Sequence, residues 1–311
     1  MILMTQRRTV AKSGQLQPPA WFIAVCVLPA LLLTAYFTLL PTLEAFAKSL
    51  TNATKLGLNR VDWVGLDNYA YMFTDKKFII SLLNTLKLMA VVPPVTLAFS
   101  LLLAAVISQC QLPEKGLYRT VFFFPSVLSL TVVGIIWSFI FHPTMGLVNN
   151  ALTALGAPQL ARAWLGDSRT ALWCIAVTLV WQAAGYYMVM HIAAMDSISS
   201  EIYEAATIDG ANAADKFFRI TLPLIKNIIG ITYVLSLSGT LALSYTLSRV
   251  MTSGGPNFAS TVLLQYIYKM GMDNGSFGYA MAMTVFTTVL SVLLSAVSRL
   301  LTGREGKEAA E

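Results

Sequence analysis

A short charged segment stands out from a chain that is otherwise rich in apolar residues. Positions 201–223 read EIYEAATIDGANAADKFFRITLP and place carboxylate, ammonium and guanidinium groups within a few helical turns. Charged groups are costly within a lipid bilayer. The segment is therefore expected at the membrane surface rather than within a span. Its charged residues are Glu201, Glu204, Asp209, Asp215, Lys216 and Arg219.

A second polar feature, the hydroxyl stripe, lies within a long apolar stretch. It consists of Thr232, Ser236, Thr240 and Ser244. Their spacing of four residues keeps them near one side of a helix. An uncharged polyol needs partners for its hydroxyl groups, so the stripe is typical of a sugar path. The alternative is that these hydroxyls bond to carbonyls of their own helix and serve helix packing.

Another apolar stretch pairs an amide with aromatic rings. Gln182 and Tyr186 are one helical turn apart, beside Trp181 and Tyr187. Such a pair can hydrogen-bond a hydroxyl group and stack on a sugar ring. The alternative is that the rings anchor the helix at the membrane interface, but the pair lies well inside the stretch.

No arrangement of residues predicts covalent chemistry or a metal site. His142 and His191 have no second ligand at a useful spacing. Cys26, Cys110 and Cys174 are too far apart for a disulfide framework or a zinc site. We expect no catalytic residue, no metal and no cofactor in this chain.

The composition indicates what positions these residues. Of 311 residues, 56% are hydrophobic and 12% are charged, whereas about a quarter are charged in soluble domains. This predicts an all-α, polytopic membrane protein, since helices satisfy their own backbone hydrogen bonds in lipid. The net charge of +6 does not indicate nucleic-acid binding, because Lys and Arg are scattered over loops.

Six apolar stretches are long enough to cross a hydrocarbon core of about 30 Å as helices. We expect one transmembrane domain over 20–301, between a cytoplasmic segment 1–19 and a cytoplasmic tail 302–311. The basic start of the chain imitates a secretory signal, but without a convincing cleavage site, so we expect an uncleaved first span. The six predicted spans are 20–42, 79–108, 120–142, 171–195, 223–247 and 277–301.

The distribution of basic residues predicts the orientation. Lys and Arg are denser in the short loops on the side of both termini, which places that side in the cytoplasm. The charged segment, within a loop at 196–222, then lies in the cytoplasm between the fourth and fifth spans. No Asp or Glu lies deep in a span, so the usual mark of a proton- or sodium-coupled carrier is missing.

Local signals predict a helix, a turn and a second helix for the charged segment. Ser199 or Ser200 can cap the first helix, Gly210 ends it, and Asn212 can cap the second before Pro223 opens the next span. Taken alone, such a pair might be an amphipathic hairpin that rests on lipid headgroups.

The detailed pattern resembles a known family. E-A-A, three residues, Gly, nine residues and I-x-L-P follow without a gap, as in the coupling loop of the membrane subunits of binding-protein-dependent ABC importers. The resemblance implies that the loop fits a cleft on a separate ATPase. The coupling residues implied are Glu204, Ala205, Ala206, Asp209, Gly210, Ile220, Leu222 and Pro223.

The resemblance also implies individual roles. Glu204 would contact a basic residue of the ATPase, small Ala205 and Ala206 would permit close approach, and Gly210 would supply a turn that a Cβ disfavours. The chain has no phosphate-binding G-x-x-x-x-G-K-[ST] loop, because its only Gly-Lys pair, Gly306-Lys307, precedes a glutamate. ATP and Mg²⁺ are therefore expected on the partner ATPase.

Further landmarks are similar to the carbohydrate-uptake branch of the family, which includes the larger membrane subunit of the maltose transporter. This chain lacks the extra N-terminal spans and the large external domain of that subunit, and it reads T-S-G-G-P where the subunit usually reads T-G-G-G-P. These differences argue against maltose itself as the substrate, but not against a carbohydrate. The landmarks are WVGLDNY at 63–69, NT at 84–85, FFFPS at 122–126, WLGD at 164–167, SGGP at 253–256 and FGYAMAM at 277–283.

The resemblance implies a substrate path and a set of partners. Alignment outward from the coupling loop puts Ser236 and Thr240 at positions where the maltose subunit has sugar-contacting residues. Gln182 and Tyr186 lie in the corresponding region of span four. Ser126, in span three, is a further candidate for the path. The expected partners, in a prokaryotic cell membrane, are a homologous second permease, two ATP-binding subunits, an extracytoplasmic sugar-binding protein and membrane lipid.

Two alternatives remain open. One is an importer of the same kind for glycerol-3-phosphate or a polyol, although a phosphate ester would need a convergent basic pocket that the spans do not contain. The other is a channel or ion-coupled carrier, which would work without an ATPase.

Overall fold

A computed structural model describes residues 20–54, 61–109 and 114–303. Within these residues the chain is almost entirely helical, as its composition predicts, and the isolated β-bridge that they contain joins Thr51 and Trp63. The expected segment 1–19 and most of the expected tail, residues 304–311, lie outside the described part. The chain divides into two compact units, Met1–Ala47 and Lys48–Glu311.

The described part of the first unit is a long apolar helical run, whose last helix ends two residues inside the second unit. Helix α1 covers Ala20–Thr34, a π-helical turn covers Ala35–Leu39, and α2 covers Leu40–Ser49. Apolar side chains along this run, such as Leu31, are exposed in the chain. A helix with apolar side chains all round suits a lipid environment, since its backbone groups are satisfied internally.

The second unit contains the remaining helices, and three of them form its centre. Helices α4, α8 and α12 pack against one another through two apolar clusters, one around Ile175 and one around Met188. The helices are α3 Asp67–Thr74, α4 Lys76–Gln109, α5 Lys115–Val127, α6 Leu130–Ile140, α7 Leu147–Ala154, α8 Ala171–Asp196, α9 Ser200–Ile208, α10 Ala213–Asp215, α11 Leu222–Leu224, α12 Lys226–Met251, α13 Leu263–Tyr268 and α14 Phe277–Gly303.

Most predicted spans correspond to single long helices. By length and composition, five helical runs in the described part of the chain can cross a membrane. The fifth predicted span begins slightly later than expected, because the helix is interrupted at Ile225 before α12 starts. The five runs are Trp21–Ser49, Lys76–Ser108, Ala171–Asp196, Lys226–Met251 and Phe277–Ala296.

The third predicted span, 120–142, is not one helix. Helices α5 and α6 meet at 98° and give a sixth span only if the bent pair is counted as one. Leu128 and Ser129 between them have ψ angles of 145° and 130°, which are extended rather than helical. Pro125 also removes one backbone donor from the last turn of α5. The prediction of a single continuous helix here is therefore wrong.

Polar bonds join the central helices inside the unit. His191 of α8 is fully buried, with Nδ1 3.1 Å from the Ser100 hydroxyl of α4 and Nε2 3.1 Å from the Thr232 hydroxyl of α12. Buried polar groups are stable when each is bonded in this way. A residue that the sequence places near a span end with no role therefore connects three helices.

A glycine sets the approach of α5 to α8. A Cβ at Gly185 would collide with the backbone carbonyl of Phe122 in α5. Only a residue without a side chain permits this backbone contact. The half of the third span that precedes the break is thus held closely against α8.

Candidate functional site

The charged segment folds as the charged hairpin, defined here as residues 199–223. The Ser199 hydroxyl accepts a hydrogen bond from the Glu201 amide and caps α9. Asn212 caps α10 in the same way, 2.9 Å from the Asp215 amide. Between the helices, Gly210 has φ 81°, the left-handed conformation that the sequence predicts for it. Both caps and the turn therefore follow from local sequence.

Two side-chain bonds brace the hairpin across its turn. The Tyr203 hydroxyl lies 2.9 Å from the Thr221 hydroxyl, and Lys216 Nζ donates to the Thr207 hydroxyl over 2.7 Å. Each bond joins α9 to the segment after the turn. The two arms are therefore constrained to move together.

The outer side of the hairpin combines acidic and apolar side chains. Glu204, Ala205 and Asp209 are exposed. Ile208 is 88% exposed and Phe218 is 64% exposed, although both are large and apolar. Neither residue is among the coupling residues that the resemblance implies. The missed signal is that apolar residues occur on both sides of this helix.

The inner side packs against the membrane helices. Ala206 is 8% exposed, so the small side chain expected to meet a partner faces the interior of this chain. Phe217 packs on the cluster formed by Ile107, Met195 and Ile225 at the ends of the central helices. The hairpin therefore rests on α4, α8 and the start of α12.

The last coupling residues expected from the sequence lie where the hairpin joins α12. Ile220 belongs to a π-helical turn, Lys216–Thr221, and Leu222 and Pro223 to the short α11. The chain passes from there into α12 at Lys226 with only the interruption at Ile225. The hairpin is thus nearly continuous with α12 at this end and with α8 at the other.

The hydroxyl stripe lies inside the chain rather than on an open surface. Ser236 and Thr240 are 3% and 4% exposed. The Thr240 hydroxyl donates to the Ser236 carbonyl over 2.8 Å. Thr232 bonds His191, as described above, and Ser244 donates to the Leu241 carbonyl. The structure thus buries these hydroxyls within the chain, where Thr232 joins α12 to α8 while Thr240 and Ser244 bond to carbonyls of their own helix.

The other expected path residues are more accessible. Tyr186 is 48% exposed, and its ring lies edge-on to Tyr187 at 5.3 Å between centroids. Gln182 is half-buried one turn earlier. Ser126 lies in the last turn of α5, beside the break, and donates to the Phe123 carbonyl over 2.6 Å.

Two known proteins are similar to this chain over most of its length. The diacetylchitobiose uptake system permease protein NgcF of Streptomyces coelicolor is 36% identical over 260 residues, which cover 79% of this chain and 73% of that protein. The sn-glycerol-3-phosphate transport system permease protein UgpA of Yersinia pestis is 31% identical over 280 residues, or 89% and 92% of the two chains.

A solved structure shares the fold. A chain of a bacterial ABC transporter involved in the import of the acidic polysaccharide alginate matches with a TM-score of 0.79 and 24% identity, over 91% of this chain and 96% of that one. The family model described as "Binding-protein-dependent transport system inner membrane component" matches residues 77–306, which include α5 to α14 and the charged hairpin. The chain therefore belongs to the family of inner membrane components of binding-protein-dependent transport systems.

Proposed function

We propose that this chain is the permease subunit of an ATP-driven importer for a sugar or oligosaccharide, and that the charged hairpin docks a separate ATPase. The observation that carries the proposal is the outer side of the hairpin. It presents Glu204, Ala205, Ile208 and Asp209 together on a braced pair of helices.

The chemistry of this side suits a protein partner. An exposed isoleucine and phenylalanine can fill apolar pockets, and interface energy is concentrated in such anchors. Glu204 and Asp209 beside them can pair with basic groups on the same partner. Because both ends of the hairpin continue into long helices, closure of the partner would move α8 and α12 together.

The remaining partners follow from family membership and from the resemblance. The importer would contain a homologous second permease, two ATP-binding subunits that hold ATP and Mg²⁺, and an extracytoplasmic sugar-binding protein. Both termini would lie in the cytoplasm of a prokaryotic cell. Alternating access would move the solute, and this chain would perform no covalent chemistry.

The substrate path includes Gln182 and Tyr186 in this proposal, because an accessible ring and amide can stack on and bond a sugar. Ser126 would contribute from the break between α5 and α6. Ser236 and Thr240 would act behind the path, since both are buried in α12 whereas Tyr186 is 48% exposed.

The scarcity of basic residues in α8 and α12 favours a sugar over a phosphate ester as the substrate. Helix α8 contains no Lys or Arg, and those of α12, Lys226 and Arg249, stand near its opposite ends. A phosphate ester would need several donors that converge. The similarity to UgpA keeps glycerol-3-phosphate as the second candidate, alongside the diacetylchitobiose named for NgcF.

Purification of the tagged chain in mild detergent tests the proposal. We expect a Walker-motif ATPase and a second permease to co-purify, and the associated binding protein to bind a chito-oligosaccharide or another sugar in calorimetric titration. If the binding protein bound glycerol-3-phosphate and no sugar, glycerol-3-phosphate would become the proposed substrate. A chain that purifies alone and moves solute into liposomes without ATP would contradict the proposed function.

A further inference from the structure

Asp196, the last residue of α8, connects three helices at the point where the charged hairpin begins. Its Oδ2 atom lies 3.2 Å from Arg119 Nη2 in the first half of α5. Its Oδ1 atom accepts a hydrogen bond from the Ser108 hydroxyl at the end of α4 over 3.0 Å. Lys115 Nζ donates to the Ser108 carbonyl over 3.0 Å, so α4 and α5 are also joined to each other.

The exposure of the ion pair argues for a mechanical role rather than a stabilising one. The side chains of Arg119 and Asp196 are 40% and 50% exposed. Ion pairs this accessible contribute little to folding stability. Arg119 Nε, however, is buried without a hydrogen-bond partner, so the guanidinium stays in place chiefly through Asp196.

The space under the hairpin makes the Asp196 contacts more important. A cavity of about 330 Å³ separates the ends of α4 and α8 from the second arm of the hairpin. It is lined by Ser108, Met195, Tyr203, Ala213 and Lys216. The hairpin reaches α4 through the apolar cluster that Phe217 shares with Ile107, whereas Ser108 at the polar end of α4 faces the cavity.

Helix α5 is free to follow α8 because of the break that ends it. Leu128 and Ser129 interrupt the helical hydrogen bonds between α5 and α6 and can serve as a hinge. On the other side, α5 is fixed to α8 at two levels, by the Gly185 contact with Phe122 and by the Arg119–Asp196 pair.

We propose that Asp196 is a positioning residue that makes α5 move as one body with α8 and the charged hairpin, so that the third span bends at Leu128–Ser129 during transport. This inference rests on the proposed function, because the hairpin must be driven by an ATPase. The movement of α5 would then open the proposed substrate path beside Ser126.

The test uses the complete transporter in liposomes, with solute uptake and ATP hydrolysis measured together. Asp196→Asn should keep the ATPase bound and active but lower the solute moved per ATP at least threefold. The exchange of charges, Arg119→Asp with Asp196→Arg, should restore the ratio to within a factor of two. Asp273→Asn, the same change at an exposed carboxylate far along the chain, is the matched control and should leave the ratio unchanged.

An unchanged ratio in Asp196→Asn, with ATPase bound and stimulated, would overturn the inference while the proposed function stands. Absence of an ATPase from the wild-type preparation would instead overturn the proposed function. Spin labels on cysteines at Leu117 and Ala214, in a chain with its native cysteines replaced, provide a second measurement. Their distance should stay constant when ATP is trapped, and should change in Asp196→Asn; a change in the wild type contradicts a single moving body.

Discussion

The charged hairpin and the hydroxyl stripe are both polar segments in an apolar chain, yet their side chains face in opposite directions. The hairpin exposes Glu204 and Asp209 and even the apolar Ile208. The stripe buries Ser236 and Thr240, and its Thr232 bonds His191 of α8. Polarity along a sequence thus marks both an exposed surface and an internal seam between helices.

The difference teaches how each segment can act. The hairpin is braced by two side-chain bonds and exposed on its outer side, as the proposed docking of an ATPase requires. The stripe joins α12 to α8 through Thr232 and His191, so it holds the two helices together. Substitutions should therefore affect binding and coupling in the first region, and stability in the second.

The largest effect is expected from a reversal of charge on the hairpin. Glu204→Lys should lower substrate-stimulated ATP hydrolysis by at least tenfold, because breaking a buried charge pair at an interface costs roughly 2–5 kcal/mol. Hydrolysis by the reconstituted complex measures this, with membrane insertion as the control. Stimulation at the wild-type level would remove Glu204 from the contact.

A smaller effect is expected from removal of the apolar anchor. Ile208→Ala should weaken association with the ATPase by about tenfold, since burial of such a side chain contributes about 1.5–3 kcal/mol. Leu235→Ala, at an exposed position of α12, is the matched control and should not alter association. Equal affinity for both variants in a titration with purified ATPase would show that Ile208 faces solvent or lipid instead.

The turn of the hairpin should be sensitive to a single methyl group. Gly210→Ala should cost about 1 kcal/mol, because alanine disfavours the left-handed backbone, although no atom lies within 4 Å of the new Cβ. Gly116→Ala, also in open space but inside helix α5, should be neutral or stabilising. Thermal unfolding of the two variants separates strain in the turn from a general effect of the methyl group.

The smallest effect is expected inside the stripe. Thr232→Val should lower stability by about 0.6 kcal/mol, the average for hydrogen bonds between membrane helices, because it removes the bond to His191, whereas Ser236→Ala should cost less. Stimulated ATP hydrolysis should remain normal in both variants. A selective loss of transport at full stability would show that Ser236 contacts the solute.

Much of the fold could be predicted from local properties of the sequence. Apolar stretches of sufficient length gave the helices around 79–108, 171–195 and 277–301, and caps at Ser199 and Asn212 gave the hairpin. These features depend on neighbours along the chain, so a single sequence contains them.

The features that were missed depend on contacts between distant segments. Hydropathy measures whether 120–142 is apolar but not whether it changes direction at Leu128. The outward position of Ile208 and the inward position of Ala206 depend on how the hairpin lies on α4 and α8. The hydrogen bonds of His191 join residues on three helices, and no local sequence pattern predicts them.

The central claim is that the outer side of the charged hairpin meets a separate ATPase. A photoreactive benzophenone amino acid at Ile208, with a second chain labelled at Ile231 in α12 as control, tests it most directly in native membranes. We predict a crosslink from position 208 to an ATP-binding subunit and none from position 231. Crosslinks from position 208 to lipid alone would contradict the claim and favour a hairpin that rests on the membrane surface.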